Sequence, residues 1–140
     1  MLLTQTARYA LRAMSCLALQ PPQEPLRSQE LARQTSPPSS YLSKVMRQLV
    51  LAGLVTSQRG HSGGFQLAKP PRQIHFIEIL TAVDYHIEAG RCAFGVGSCD
   101  PLQPCPLHHT WSTLVERFDD WARQTSLAEI TSKPPPIADT

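Results

Sequence analysis

Apolar residues in the first half of the chain return at spacings that predict three helices followed by a hairpin. From residue 4 to residue 19 they recur every three or four positions, which is the period of an amphipathic helix. Prolines end this helix and the next one, SQELARQT, for which Ser28 is the expected N-cap. Ser39 or Ser40 is expected to cap the third helix. Apolar and polar residues then alternate in LVTSQ and GFQLAK around a glycine-containing turn, as they do in a β-hairpin.

This order of elements, with a tight Pro-Pro-Ser turn between the second and third helices, predicts a mainly α fold with a hairpin wing, a winged helix-turn-helix. The apolar face of the third helix consists of Leu42, Val45, Met46 and Leu49. Its other face carries hydroxyl and cationic side chains, which bond base edges or neutralise phosphates. The DNA-contacting candidates on this helix are Ser39, Ser40, Tyr41, Ser43, Lys44 and Arg47. Arg59, in the hairpin turn, is expected to enter a minor groove. The alternative to DNA binding is a small helical domain whose polar face is merely solvated.

Charge and length support a polyanion-binding protein without a large catalytic scaffold. The 140 residues carry a formal charge of +2, but residues 1–75 hold nine basic and two acidic residues, a charge of +7, and residues 76–140 have −5. Such a split suggests a nucleic-acid-binding module joined to a second part, although an uneven solvated surface would give the same numbers. The chain leaves little room for a barrel or dinucleotide fold, and it shows no nucleophile–base pair or nucleotide loop, so we expect no enzyme; a small redox or metal-carrying enzyme is the alternative. It has neither a membrane-length apolar run nor a secretory signal, which favours the cytoplasm.

The second half predicts a short helix within residues 74–83, an irregular segment over 84–104 and a long helix from about Pro106 to Gln124. Large apolar residues form a stripe along the long helix: Leu107, Trp111, Leu114, Val115, Phe118 and Trp121. We expect a second subunit to cover this stripe, and folding back onto its own domain is the alternative. The predicted division is a DNA-binding domain (1–75), a sensor loop with a dimerisation helix (76–130) and a disordered tail (131–140).

Three of the four cysteines cluster in the second half, in and just after the irregular segment that precedes the long helix. Cys16 lies in the first helix and is expected in the core. Cys92, Cys99 and Cys105 are separated by six and five residues, wider gaps than the two to four typical of a zinc site. A Gly- and Pro-rich loop with wide spacing suits an iron–sulfur cluster, for which histidine can replace some thiolates. Zinc and a metal-free thiol switch remain alternatives.

The ordered combination of segments resembles one regulator family. TARYALRAM is similar to the opening helix of the winged-helix, iron–sulfur-sensing family of IscR and NsrR. SPPSSYLSKVMRQLVLAGLVTSQRGHSGGFQLAKP is similar to that family's recognition helix and wing, and IEILTAVD, the three cysteines and CPLHHTW continue the match to about residue 130. The resemblance implies a homodimeric transcription factor, a repressor or activator, that binds a pseudo-palindromic DNA operator.

The resemblance also implies roles for individual residues. At the major groove it implies Ser40, Tyr41, Ser43 and Lys44, and at the minor groove Arg59 and His61. It implies that Cys92, Cys99 and Cys105 ligate the cluster, and that the long C-terminal helix joins the two subunits.

Two departures from the family pattern affect the expected ligands. The gap between the first two cysteines is one residue longer than usual, and Arg8 stands where some members have an acidic ligand. Other members use a histidine three residues after the last cysteine, so His108 is the expected fourth ligand and His109 is expected to face solvent. One nitrogen ligand favours a 2Fe-2S cluster, with 4Fe-4S open. The alternative is a cluster-free regulator switched by thiol oxidation or by a partner protein.

Overall fold

The computed structural model describes residues 2–86 and 90–134. The helices are α1 (Gln5–Ala18), α2 (Ser28–Thr35), α3 (Ser39–Leu51), α4 (Phe76–Ala82), α5 (His108–Gln124) and α6 (Ala128–Ser132). The strands are β1 (Val55–Gln58) and β2 (Gly64–Leu67), and a turn of 3₁₀ helix covers Pro71–Gln73. The predicted class, mainly α with a hairpin wing, is confirmed. Within these residues no helix is long and apolar enough to span a bilayer.

Helix α1 forms the centre of the helical layer. It begins after Thr4, whose hydroxyl oxygen accepts a hydrogen bond from the Ala7 amide at 3.2 Å. Helices α2, α3 and α4 pack around it, and its alanines at positions 7, 10 and 13 are fully buried, which allows close approach. Cys16 lies in this core as predicted, and burial raises the pKa of its thiol to about 11.

The predicted helix caps are wrong by one residue. Arg27 holds the N-cap position of α2, and Pro38 holds that of α3, so that Ser28 and Ser39 each begin a helix and Ser40 lies inside one. The physical reason is that Arg27 and Pro38 already have the extended backbone an N-cap requires, with ψ of 147° and 136°. Their carbonyls accept the first intrahelical bonds, from Leu31 at 2.9 Å and Leu42 at 3.1 Å.

Helix α3 has the predicted buried face and the predicted end. Its core residues are Leu42, Val45, Met46 and Leu49, all buried. Gly53 follows the helix with φ of 76°, a left-handed conformation that glycine adopts without a steric penalty. Two bonds close the turn, from the Gly53 amide to Val50 and from the Leu54 amide to Leu49, at 3.0 and 3.1 Å. This turn directs the chain into β1.

The wing is an antiparallel hairpin anchored to the segment before α2. β1 and β2 pair in the register Val55↔Leu67 to Gln58↔Gly64. Leu26 adds a further bridge, because its amide and carbonyl both bond to Phe65 at 2.8 Å. Gly64 makes this pairing possible, since a Cβ there would lie 2.5 Å from the Leu26 carbonyl oxygen. The base of the wing is therefore fixed against the start of the helix-turn-helix.

The second half packs onto the first through α4, which contacts α1 and α3, and the end of α5 packs in turn on α4. The Phe76 ring meets Trp121 edge-to-face at 5.4 Å, and Tyr85 meets Phe118 at 6.2 Å. Ala122 is fully buried in the same core. The C-terminal half of α5 thus folds back onto its own domain, which was the alternative for this helix. Leu107, Leu114 and Trp121 nevertheless remain 47%, 50% and 41% exposed.

The end of the chain differs from the predicted tail. Residues 131 and 132, expected in the tail, belong to α6, a short helix that the sequence pattern does not predict. The Leu127 amide before it bonds to the Ile74 carbonyl at 2.9 Å, which ties this segment to the extended residues preceding α4. The rest of the predicted tail, from residue 135 onward, lies outside the described residues.

Candidate nucleic-acid interface and cysteine loop

The outward face of α3 carries cationic and hydroxyl side chains. The exposed residues on this face are Ser40, Ser43, Lys44 and Arg47, whereas the apolar residues on the opposite face of the helix are buried in the core. Lys44 and Arg47 lie three residues apart and therefore share one side of the helix. Ser39 is the first residue of the helix. This face has the donors needed for phosphates and base edges.

Tyr41 is oriented differently from the other candidates on α3. Its ring meets Tyr9 edge-to-face at 5.5 Å, and its hydroxyl hydrogen-bonds to the hydroxyl of Thr6. Both partners lie on α1, and Tyr41 is half-buried between the helices. In this structure Tyr41 fixes the start of α3 on α1.

The wing presents Arg59 and His61 at its exposed turn. Arg27, at the start of α2, donates from Nη2 to the His61 carbonyl oxygen at 2.5 Å. An open groove of about 500 Å³ lies between the first turn of α2 and the wing. Arg27 thus connects the wing turn to the helix-turn-helix.

The far end of α3 is connected to the segment after α4. The Gln48 side-chain amide donates to the Asp84 carboxylate at 3.5 Å. The next residue, Tyr85, contacts Phe118 on α5. The segment of Asp84 and Tyr85 therefore touches both the candidate recognition helix and the long helix.

Backbone bonds bring Cys92 and Cys99 side by side. Arg91 and Ser98 form an antiparallel bridge, the Cys92 amide bonds to Gly97 at 3.1 Å, and the Cys99 amide bonds to Gly90 at 2.6 Å. The Cys92 and Cys99 thiols are close enough to influence each other electrostatically, and the Phe94 amide donates to Cys92 Sγ at 3.4 Å. We call residues 90–105 the cysteine loop.

Electrostatics links the third thiol to this pair. The pKa of Cys99 is raised because its partial desolvation, and then the neighbouring thiols of Cys92 and Cys105, disfavour the thiolate. Cys105 itself is exposed. The shift disfavours the thiolate, which is the form of cysteine that ligates a metal.

The first turn of α5 faces the cysteine loop. His108 and Trp111 line a small cavity of about 60 Å³ together with Cys99. The Trp111 indole Nε1 donates to the Arg91 carbonyl oxygen at 2.8 Å. His109 is exposed.

The donor set suits an iron–sulfur cluster in its chemistry. Thiolates are the usual ligands, and an imidazole replaces some of them in certain clusters. Cys99 lies next to Cys92, and the charge on Cys105 influences its pKa. Cys99 also lines a cavity together with His108. No group of three or more His, Cys, Asp or Glu side chains in residues 2–86 and 90–134 is arranged to hold a metal ion.

Arg8 lies away from the cysteine loop. It lines a separate groove with Phe118 and Trp121.

A family model matches residues 3–133 and is described as Rrf2, iron-dependent transcriptional regulator. The chain belongs to the Rrf2 family. Relatives named HTH-type transcriptional regulator IscR are 33% identical to it. The one from Vibrio campbellii matches over 130 residues, 93% of this chain and 77% of its own length. The one from Cronobacter sakazakii matches over 132 residues, 94% of this chain and 81% of its own. The resemblance stated above is confirmed, and the activity these names carry is transcriptional regulation.

Solved structures of Rrf2-type regulators share the fold. CymR of B. subtilis, described as the global cysteine regulator, superposes with a TM-score of 0.79 at 21% identity and covers 95% of this chain and 98% of its own. IscR of T. potens gives 0.76 at 20% identity and covers 99% and 91%. At these identities the likeness establishes the fold and nothing more.

Sequence reasoning missed two connections in this Rrf2 chain. Arg27 bonds to a carbonyl 34 residues away, and Trp111 bonds to one 20 residues away. Neither has a local signal, because any residue offers a backbone carbonyl. The sequence pattern predicts Trp111 only as part of the apolar stripe.

Proposed function

We propose that this Rrf2 chain is a homodimeric regulator whose affinity for a DNA operator is controlled by an iron–sulfur cluster in the cysteine loop. The proposed ligands are Cys92, Cys99, Cys105 and His108. The observation that carries the proposal is the backbone pairing that brings Cys92 and Cys99 side by side, next to a cavity that Cys99 shares with His108. Transcriptional regulation is established by the family, and its control by a cluster is the proposal.

DNA binding is assigned to residues 1–75 and control to residues 76–130. Support for the first part comes from its charge of +7 and from the exposed cations on α3 and the wing. Lys44 and Arg47 would contact DNA near the major groove, with Arg59 and His61 at the minor groove. Of the serines at the start of α3, Ser40 and Ser43 are exposed for contacts to phosphate or base edges, and Ser39 would offer its backbone amide to phosphate.

A second copy of the chain is the proposed cover for the remaining apolar surface. A groove of about 400 Å³ is lined by Leu2, Leu3, Arg8, Phe118 and Trp121. Leu2 is 54% exposed there, and Leu114 continues the apolar surface along α5. Contiguous exposed apolar surface of this kind is typical of protein interfaces. A two-fold dimer would present two α3 helices to half-sites about one DNA turn apart, which accounts for a pseudo-palindromic operator.

The donor set favours a two-iron cluster because one of its four members is an imidazole, with a four-iron cluster as the alternative. When bound, such a cluster supplies a group that is sensitive to oxidation, nitric oxide and iron supply. The residues of this chain would hold it at the loop and release protons from the thiols on binding. A change in the loop then alters the relation of the two α3 helices through α5.

A cluster-free thiol switch is the second candidate, and the proximity of Cys92 and Cys99 favours it. A hydroperoxide would take two electrons and two protons from the two thiols. The products are one disulfide bond, an alcohol and water. The same loop would then change shape by a covalent bond between Cys92 and Cys99.

Cys99→Ala tests control through the loop, because both candidates use this thiol, and the two treatments, reconstitution and hydroperoxide, separate the candidates from each other. The probe is a duplex selected by the wild-type protein from a random-sequence library, footprinted before and after anaerobic reconstitution with iron and sulfide. We expect reconstitution to change the affinity of the wild type at least about tenfold, a coupling of about 1.4 kcal/mol, and to leave Cys99→Ala unchanged. Cys16→Ala, the same substitution in the core, should respond like the wild type.

Each competing outcome points to a different account. Equal operator affinity in the wild type and Cys99→Ala, with and without reconstitution, contradicts control through the loop. A wild type that binds no iron but changes affinity after hydroperoxide treatment supports the thiol switch instead. Wild-type binding whose affinity does not fall as the salt concentration rises would contradict DNA recognition through phosphate contacts.

A further inference from the structure

We propose that Trp111 is a positioning residue that holds the cysteine loop on α5 and transmits the state of the loop to α3. This inference rests on the proposed function, since it concerns how that control reaches the DNA-binding surface. It is carried by the hydrogen bond from the Trp111 indole to the Arg91 carbonyl, at 2.8 Å, and by the cavity that Trp111 shares with Cys99.

The bond lies at the point where the loop is most tightly organised. Arg91 is paired with Ser98 and directly precedes Cys92. The bonds of Cys92 to Gly97 and of Cys99 to Gly90 join loop residues to each other, whereas the bond from Trp111 joins the loop to a helix. A rearrangement of the cysteines must therefore move the acceptor of the Trp111 indole.

The other end of α5 packs on α4 and on the segment of Asp84 and Tyr85, which in turn contact the first half of the chain. Two turns along the helix, Phe118 contacts the Tyr85 ring, and Ala122 lies in the core. Asp84, next to Tyr85, accepts a hydrogen bond from Gln48 on α3. A tilt of α5 that starts at Trp111 has a packed route to the candidate recognition helix through these contacts.

The hydrogen bond of Trp111 is exposed, so its effect on the link between loop and α3 can be distinguished from an effect on folding. The bond lies at the protein surface, where a single hydrogen bond contributes little to global stability. Its loss should therefore affect the loop and its connection to α3 more than the folding of the domain. This gives the inference a signature that a purely structural role would not have.

The test compares Trp111→Phe, which keeps a ring but removes the donor, with Thr113→Ala. Thr113 also donates one side-chain hydrogen bond to a carbonyl, that of His109, but this bond lies within α5. In reduced, metal-free protein we expect Trp111→Phe to raise the alkylation rates of Cys92 and Cys99 about fivefold, as local opening becomes easier. Thr113→Ala should leave both rates unchanged.

The second readout is the ratio of operator affinities with and without reconstitution by iron and sulfide, on the selected duplex. We expect this ratio to fall toward unity by at least about threefold in Trp111→Phe and to stay at the wild-type value in Thr113→Ala. The inference is overturned if Trp111→Phe weakens operator binding equally with and without reconstitution, so that the ratio of the two affinities stays at the wild-type value. A wild type whose affinity ignores reconstitution overturns the proposed function itself.

The wild type supplies a check that needs no folded variant. The chain has two tryptophans, so the ¹⁵N–¹H resonances of their indoles are readily assigned. We expect the Trp111 resonance to shift and its hydrogen exchange to change when Cys92 and Cys99 are alkylated, with little change at Trp121. Unchanged exchange at Trp111 would show that its bond is insensitive to the loop and would overturn the inference.

Discussion

The helix-turn-helix and the cysteine loop are stabilised by different forces. Helix α3 is held by four apolar side chains that are almost completely buried. The cysteine loop exposes its large apolar residues, with Phe94 at 69%, Val96 at 77% and Leu102 at 90%. Its shape depends instead on backbone hydrogen bonds and on glycines with positive φ at positions 90, 95 and 97.

This difference assigns separate tasks to the two regions. Burial of apolar surface makes α3 rigid, so its cations would keep fixed positions for the phosphates and bases that we propose they contact. A segment with few buried contacts opens locally at low free-energy cost. Such a segment is suited to respond to a ligand or an oxidant, which is the role we propose for the cysteine loop.

The largest expected contrast is in side-chain truncation. Leu49→Ala, at a fully buried position of α3, should lower the free energy of unfolding by about 2–5 kcal/mol because it leaves a cavity. Leu51→Ala, the same substitution at a 76% exposed position of the same helix, and Val96→Ala in the cysteine loop should stay within about 0.5 kcal/mol. Urea denaturation measures all three. A loss at Val96 as large as that at Leu49 would contradict the comparison.

Glycine substitutions sharpen the contrast at the backbone level. Gly64 and Gly95 both have positive φ, 148° and 72°, but a Cβ added at Gly64 would meet the Leu26 carbonyl, whereas one added at Gly95 would meet nothing within 4 Å. Gly64→Ala should lower the free energy of unfolding by about 2–3 kcal/mol, since strain and a clash combine. Gly95→Ala should cost about 1 kcal/mol, from strain alone. Equal losses in urea denaturation would show that the close approach at Leu26 is unimportant.

A charge substitution tests the function of the rigid region. Lys44→Ala should weaken binding to the selected duplex about tenfold and lower the slope of log affinity against log salt by about 1. Arg123→Ala removes an exposed cation from α5, where it pairs with Asp119 at 2.6 Å, and serves as the control. Fluorescence anisotropy at several salt concentrations gives both values. Equal effects of the two substitutions would argue against α3 as the DNA-contacting helix.

The smallest expected effect comes from an ion pair at the junction of the two halves. Burial alone would raise the pKa of Glu78, but hydrogen bonds from Lys69 Nζ and the His75 amide, both 2.8 Å, lower it overall. A lowered pKa means that the stabilisation is present above the ordinary pKa of glutamate and is lost as pH falls through the lowered value.

Glu78→Gln therefore tests this pair by its pH dependence. We expect a loss of less than about 1 kcal/mol near neutral pH, because both side chains are about one-third exposed. The difference from the wild type should shrink as pH falls through the lowered pKa of Glu78. Glu129→Gln, at an exposed position of α6, should show no such dependence in urea titrations. A difference that grows on acidification would reverse the assigned sign.

Much of the winged helix-turn-helix could be predicted from the sequence because its signals are local. The buried face of α3, the helix-ending Gly53 and the alternating strands of the wing each follow from residues within a few positions of one another. The predicted N-caps at Ser28 and Ser39 were wrong because they relied on a capping side chain. The N-cap residues are Arg27 and Pro38, which have the required extended backbone and make no side-chain capping bond.

The connections between elements could not be predicted in the same way. Trp111 and Arg27 bond to distant backbone carbonyls, which no side-chain pattern marks. The resemblance implies Tyr41 at the major groove, and no sequence signal predicts the contact of its ring with Tyr9 on α1. Helix α6 was missed because five residues are too few to show a helical period.

The most direct test of the account is to count iron and acid-labile sulfide per chain after anaerobic purification, with absorbance spectra of the wild type and Cys99→Ala. The account predicts visible absorbance and equal amounts of iron and sulfide in the wild type, about two of each per chain for a two-iron cluster, and their loss in Cys99→Ala. A wild type that stays colourless and free of iron and sulfide after anaerobic reconstitution would contradict it.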